Sequence, residues 1–227
     1  MNKHINVLLV DDQPSIIQAY SAYLNQFKDT NPDYQLNILT AMCCDSAIDI
    51  IESKRDETKE SIDLAIVDMR LPQSKEGHFN SGEDLGVLLK KKFPKIKIII
   101  ITGHYETLIL SSILQTVKPD SILLKGDIVG KTILEALSKV LNGKRFYSPS
   151  VLDLIHKKIS SSISLDPFNK LILYELWKGT KTKDLVKHIP LSMGAIEKRK
   201  RNIRSLFNAN SKDDDALIKI VLEKGFL

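Results

Sequence analysis

Residues Ile96–Thr102 read IKIIIIT, a nearly continuous apolar run. A strand with one wet face alternates apolar and polar residues, so a run of this kind is expected where a strand is covered on both faces. That condition is met in parallel sheets flanked by helices, and the front of the chain has the matching rhythm. Ile5–Val10 is a short apolar strand that runs into Asp11-Asp12, and Ile16, Ile17, Tyr20, Tyr23 and Leu24 follow at helical spacing. Leu36–Ala41 reads as a second strand and Ser46–Ile51 opens a second helix. Leu64–Val67 is a third strand ending at Asp68, and Gly82–Phe93 a helix stopped by Pro94. Leu108–Val117 reads as a helix, Ser121–Leu124 as a strand and Ile128–Leu141 as a last helix. Five strands alternating with five helices predict a doubly wound parallel sheet, whose ligand sites lie beyond the carboxyl ends of the strands.

That unit ends near Tyr147, and the chain of 227 residues is too long for it alone. From Leu165 the pattern is helical only, interrupted at Gly179 and Pro190, and Ser160-Ser161-Ser162 reads as a flexible break before it. The expected division is residues 1–147, a linker at 148–163, and a helical domain at 164–227. Charge divides with it. Residues 1–147 carry 18 Lys+Arg against 19 Asp+Glu, whereas residues 148–227 carry 15 against 9. A basic tail behind a near-neutral front points to a polyanionic partner for the tail. No apolar stretch of about eighteen residues exists to cross a membrane. The start, MNKHINVLLVDD, has no signal-peptide pattern, and the two cysteines, Cys43 and Cys44, are adjacent and give no disulfide framework. A cytoplasmic location without membrane attachment is expected.

Chemistry gathers at the predicted strand ends. Asp11-Asp12 follows strand 1, Asp68 strand 3, Thr102 strand 4 and Lys125 strand 5. In a parallel sheet those ends converge on one rim. Three carboxylates there repel one another unless a hard cation sits among them, and Mg²⁺ takes oxygen ligands while keeping water positions open for phosphate. A carboxylate can attack phosphorus, and a hydroxyl and an ammonium nearby can hold the remaining phosphoryl oxygens. An Asp-Asp after a strand is more often a turn or a helix cap. The coincidence of all four strand ends is what favours a site.

The stretches VLLVDD (Val7–Asp12), IVDMRLP (Ile66–Pro72), IITG (Ile100–Gly103) and ILLKG (Ile122–Gly126) resemble the receiver domain of two-component response regulators, over about residues 3–145. The resemblance implies a flavodoxin-like receiver with a five-stranded parallel sheet in the order 2-1-3-4-5. It implies that Asp68 accepts a phosphoryl group from a histidine kinase and that Thr102 and Lys125 read the phosphoryl oxygens. Asp12 and Asp68 would ligate Mg²⁺, with Asp11 acting chiefly through water and the main-chain carbonyl of Arg70 completing the set. Three departures stand out: Ile122 occupies the position of a frequent aromatic switch residue, QSKEGHFNS (Gln73–Ser81) lengthens the loop after Asp68, and Gly126 stands where many receivers have proline.

GKRFYSP (Gly143–Pro149) and the stretch from Leu165 resemble regulators of the NarL/LuxR class, which implies an all-α four-helix helix-turn-helix output domain. Lys181–Ile189 would be its support helix and Ser192–Phe207 its recognition helix. Ile196, Ile203 and Phe207 face inward at helical spacing, leaving Lys198, Arg201 and Arg204 on a shared outer face. Residues 178–204 carry nine Lys/Arg and only Asp184 and Glu197 as acids. By analogy with the class, Glu197, Lys198 and Arg201 would meet base edges of double-stranded DNA, with Arg204 on the same face, and Lys183 with Thr182 would meet phosphate. The last segment, Asp213–Leu227, fits a fourth helix.

The implied function is a phosphorylation-controlled, DNA-binding transcription regulator, a homodimer when active, rather than an enzyme. Two rivals are an atypical regulator that binds DNA constitutively and an Mg²⁺-dependent aspartyl-phosphate hydrolase. The hydrolase reading is weakened because haloacid-dehalogenase-type enzymes place a second Asp two residues after the nucleophile, where Arg70 stands here.

Overall fold

The computed structural model describes residues 3–54, 61–103, 107–160, 165–211, 213–224 and 226–227. The chain divides into two compact units, one of Met1–His104 with Ser112–Val151 and the other of Tyr105–Ser111 with Leu152–Leu227. The linker break expected at residues 160–162 lies largely outside the described residues; just ahead of it, Pro149–Ser160 (α6) is helical.

The first unit is a wholly parallel sheet in the order β2-β1-β3-β4-β5-β6. Its strands are Lys3–Val10 (β1), Tyr34–Ala41 (β2), Leu64–Asp68 (β3), Lys97–Thr102 (β4), Ser121–Leu124 (β5) and Phe146–Tyr147 (β6). The helices are Pro14–Thr30 (α1), Cys44–Ser53 (α2), Gly82–Lys92 (α3), Thr107–Thr116 (α4), of which residues 107–111 are grouped with the second unit, and Gly130–Leu141 (α5). The flavodoxin-like order stands, with six strands instead of five. The sixth is the segment FY beyond α5: Gly143 (φ 74°) turns the chain back, and the Phe146 and Ser148 N–H groups donate to the Asp120 and Ile122 carbonyls at 3.1 Å. Two residues carry no periodicity, which is why the pattern alone does not reveal them.

The IIII run of β4 is buried along its whole length, as a strand covered on both faces requires. Alternate residues divide between two cores. Leu9, Ile66, Ile99, Ile101 and Leu123 pack under α1 and α5 with Leu24 and Leu137, and their neighbours in the strands point to the opposite face. Cys43 and Cys44 are accounted for locally. Cys43 caps α2 in a reciprocal arrangement with Ser46, and burial pushes the Cys44 thiol up to about 11.

The second unit holds Pro167–Trp177 (α7), Met193–Phe207 (α8) and Asp214–Glu223 (α9), with a 3-10 turn at Thr182–Lys187 between α7 and α8. That turn replaces the expected support helix. The segment between Gly179 (φ 87°) and Pro190 leaves room for tighter winding over a few residues, the usual use of 3-10 geometry. Asp166 caps α7 ahead of Pro167 and accepts the Asn169 N–H at 2.9 Å; Ser192 caps α8 and accepts the Ala195 N–H at 3.3 Å. Ile172, Leu185, Ile196, Ile203, Phe207 and Leu217 form the core.

Candidate functional site

Strand register decides what meets at the rim. Val10 pairs with Val67, Asp68 with Ile101 and Thr102 with Leu124, so Asp11, Asp68, Thr102 and Lys125 fall at successive strand ends. Asp11 is 1% exposed, Asp68 2% and Thr102 0%, while Asp12 is exposed. Lys125 Nζ donates to Asp68 Oδ2 at 2.9 Å and to Asp11 Oδ2 at 3.4 Å. One ligand oxygen from each of Asp11, Asp12 and Asp68 lies within 4.8 Å of the others. The exposed Arg70 follows two residues after Asp68.

Burial pushes the Asp68 carboxyl above its ordinary value, against the bond and charge of Lys125. Burial acts downward on Lys125, but its bond to Asp68 and the charges of Asp68 and Asp11 hold its ammonium above the ordinary lysine value. The negative field reaches Tyr20, whose phenol is pushed up by burial first and then by Asp11 and Asp68. Among the described residues, Asp68 Oδ1 is buried without a hydrogen-bond partner. An unpartnered carboxylate oxygen inside a cluster of acidic oxygens is a donor set suited to a hard divalent cation.

Two further features lie beside Asp68, a glycine that carried no weight in the sequence and the long loop that stood out there. A Cβ at Gly82 would lie 2.0 Å from the Asp68 carbonyl oxygen and 2.9 Å from Val67 Cγ1, so only glycine lets α3 start against the end of β3. The Gly82 N–H donates to the Met69 carbonyl at 3.0 Å. The long loop Gln73–Ser81 is a closed turn. Ser74 N–H donates to the Phe79 carbonyl at 2.8 Å, and Phe79 N–H donates back to Ser74 Oγ at 3.0 Å. Gly77 takes φ 72° at its tip, and the Lys75 N–H donates to the Asp45 carboxylate at 3.3 Å.

In the second unit, α8 presents Lys198 and Arg201 to solvent with Glu197 half-buried beside them, and Lys183 is exposed on the 3-10 turn. Arg204 does not share that face. Its guanidinium donates to Asp214 Oδ1 at 2.5 Å, and its side chain is 15% exposed. Thr182 is also turned inward, donating to Asp214 Oδ2 at 2.9 Å. Lys200, 3% exposed, joins them through Asp214 Oδ2 at 2.8 Å and the Thr182 hydroxyl. Helical spacing allows Arg204 to lie beside either Arg201, three residues away, or Lys200, four away, and the Asp214 carboxylate draws it to the side of Lys200. Arg199 is committed too, donating to Asp166 Oδ2 at 2.5 Å and Asn169 Oδ1 at 2.9 Å.

No family model matches the chain. It is 23% identical over 218 residues to the transcriptional regulatory protein RcsB of Escherichia coli K12, across 95% of this chain and 93% of that protein. It is also 23% identical over 197 residues to the transcriptional regulatory protein DesR of Bacillus subtilis, across 85% and 84%. RcsB from Salmonella enterica serovar Typhimurium, solved bound to promoter rprA in the presence of phosphomimetic BeF3-, has TM-score 0.64 at 22% identity over 96% of this chain and 98% of that one. The fold is shared. The chain is similar along most of its length to these transcriptional regulatory proteins.

The acidic rim lies on the first unit and the basic helix α8 on the second. The ion-pair group around the partly buried Asp214 is what sequence reasoning missed. Asp213-Asp214-Asp215 reads as helix-start charge, and its three residues look alike until the fold selects one. Among the described residues, no helix is long and apolar enough to cross a membrane.

Proposed function

We propose that this chain is a cytoplasmic, DNA-binding response regulator of a two-component system, switched by phosphorylation of Asp68. Its receiver spans residues 1–147, its linker 148–163 and its output domain 164–227. The observation that carries the reading is the buried Asp68 carboxylate, bonded to Lys125 and clustered with the oxygens of Asp11 and Asp12.

Asp11, Asp12, Asp68 and the Arg70 carbonyl would hold Mg²⁺, which when bound neutralises charge on the phosphoryl oxygens. An Asp68 carboxylate oxygen forms a bond to phosphorus as the phosphorus–nitrogen bond of the kinase's phosphohistidine breaks. Lys125 moves from the carboxylate to a phosphoryl oxygen, and the Thr102 hydroxyl takes another. The new bonds bias the chain toward a state that dimerises or frees its output unit. Glu197, Lys198 and Arg201 then meet base edges in the major groove, and Lys183 meets phosphate. Thr182 and Arg204, bound to Asp214, hold the recognition helix in place instead of touching DNA. The histidine kinase, a second copy of the chain and double-stranded DNA are its partners, and it acts as a regulator with no substrate turnover of its own.

Sedimentation velocity with Mg²⁺ and beryllofluoride, which stands in for the phosphoryl group, tests the reading. A monomer-to-dimer shift that is absent in Asp68→Asn supports it. A second reading, constitutive DNA binding, is favoured by Ile122, which is 0% exposed and leaves no aromatic at that position. It predicts that Asp68→Asn binds DNA as tightly as the unsubstituted chain under every condition.

A further inference from the structure

The turn that carries Lys125 is anchored at its other end by a second carboxylate. β5 ends at Leu124, and Lys125–Asp127 form a single 3-10 turn. Its first residue, Lys125, reaches Asp68. Its third, Asp127, faces the start of α6: Oδ1 accepts from Ser150 Oγ at 2.7 Å, and Oδ2 accepts from the Ser150 N–H at 3.0 Å. The Asp127 carbonyl accepts from Thr132 Oγ1 of α5 at 3.0 Å. Just ahead of α6, the fully buried Ser148 is bonded twice to β5, accepting the Leu124 N–H at its Oγ at 3.1 Å and donating its own N–H to the Ile122 carbonyl at 3.1 Å.

The first N–H groups of a helix have no partner within it, and a helix start attracts negative charge. Pro149 opens α6 and has no N–H, so the N–H of Ser150 is the first that needs an acceptor. Asp127 supplies it from another element. That cap therefore lasts only while the turn and the helix start hold their relative positions. Burial pushes the Asp127 carboxyl up, but bonds from Ser148 and Ser150 prevail and hold it below the ordinary carboxylate range. It is ionised at neutral pH, which makes both bonds charge-assisted.

We propose that Asp127 is a positioning residue that fixes the turn aiming Lys125 at Asp68 onto the first turn of α6, so that a change in what Lys125 binds is delivered to α6. This rests on Asp68 being the phosphoacceptor. When Lys125 leaves the Asp68 carboxylate for a phosphoryl oxygen, its turn has only three residues in which to absorb the movement. The far end of that turn holds the α6 cap. α6 is also where the chain leaves the first unit, so the state of the rim is written into the connecting helix. The route uses no aromatic side chain at position 122.

Hydrogen exchange of the full-length chain, with and without saturating Mg²⁺ and beryllofluoride, tests this, with bound mimic measured separately by ¹⁹F NMR. In the unsubstituted chain, mimic binding should change exchange at the amides of residues 150–153. In Asp127→Asn those amides should exchange about tenfold faster without mimic, as expected for loss of a charge-assisted cap, and should no longer respond when mimic is bound. Ser150→Ala, which keeps the backbone bond, should show a reduced response and serves if Asp127→Asn does not fold. Thr132→Val, which loses a bond to the turn but none to α6, should respond in full. Asp127→Asn responding like the unsubstituted chain overturns the proposal, as does bound mimic that leaves the unsubstituted α6 unchanged. Failure of the unsubstituted chain to bind mimic at all overturns the phosphoacceptor reading instead, and the proposal with it.

Discussion

Lys125 Nζ and Asp68 Oδ2 lie 2.9 Å apart although 57 residues separate them in sequence. The carboxylate is 2% exposed and the lysine side chain 29%. Removing the lysine leaves a buried charge facing Asp11 with no cation near it. Lys125→Ala should lower the unfolding free energy by about 1–3 kcal/mol without divalent cation, below the figure for a fully buried pair because Lys125 is partly hydrated. Added Mg²⁺ should restore part of that loss. Urea unfolding with and without Mg²⁺ measures both, and a chain indifferent to Mg²⁺ would argue against the acidic cluster as a metal centre.

Gly82→Ala should be far more damaging than its one added methyl suggests. The new carbon would lie 2.0 Å from the Asp68 carbonyl oxygen, a backbone atom that cannot step aside without moving Asp68 itself. A loss of about 1–3 kcal/mol is expected from overpacking, together with weakened beryllofluoride binding. Thermal unfolding and mimic titration should change together.

Arg201 and Arg204, three residues apart on α8, should behave as opposites. Arg201→Ala should keep the stability of the chain and weaken DNA binding, with a shallower dependence on salt. Arg204→Ala should destabilise the second unit, because Arg204 bonds Asp214. Asp214→Asn, which strips the 3% exposed Lys200 of its counter-charge, should cost about 3 kcal/mol. Unfolding and DNA titrations on the three variants separate the roles; equal stability loss in Arg201→Ala would refute the division.

Asp166 gives a pH signature. Burial pushes its carboxyl up, but the bonds from the Asn169 N–H and Arg199, with the charge of Arg199, together outweigh that and hold it below the ordinary carboxylate range. A carboxyl depressed on folding adds stability above its unfolded pKa and loses it as pH falls through the folded value. Asp166→Ala should therefore cost about 1 kcal/mol at pH 7 through the lost cap of α7. Since the side chain is 46% exposed, solvent screens its pairing with Arg199 and adds little to that. The difference from the unsubstituted chain should shrink below about pH 4. Chemical unfolding at neutral and acid pH reads the effect.

The rim of the first unit was legible because parallel topology turns strand ends into neighbours: once IKIIIIT and its companion strands are placed, Asp11, Asp68, Thr102 and Lys125 have nowhere else to go. The same logic fails for β6, whose two residues have no period and depend on a turn at Gly143. It fails also on α8, where spacing alone puts Arg204 among the outward cations. The side that each cation takes depends on Asp214, ten residues away on a different helix. Thr182 misleads for the same reason, since a hydroxyl in a basic stretch looks exposed until its partner arrives from α9. Local pattern reports which way a side chain can point, and ionic partners brought in by the fold decide which way it does.

The closed turn at Ser74–Phe79 makes the length of the segment after Asp68 a free variable. Because Ser74 and Phe79 clasp each other at its base, a change of length between them puts little strain on β3 or Gly82, and loop closure rises only slowly with length, while Gly77 at φ 72° is fixed by its backbone. The chain thus carries a self-closed segment beside a buried carboxylate, so its surface there can be reshaped in length while the rim around Asp68 keeps its geometry.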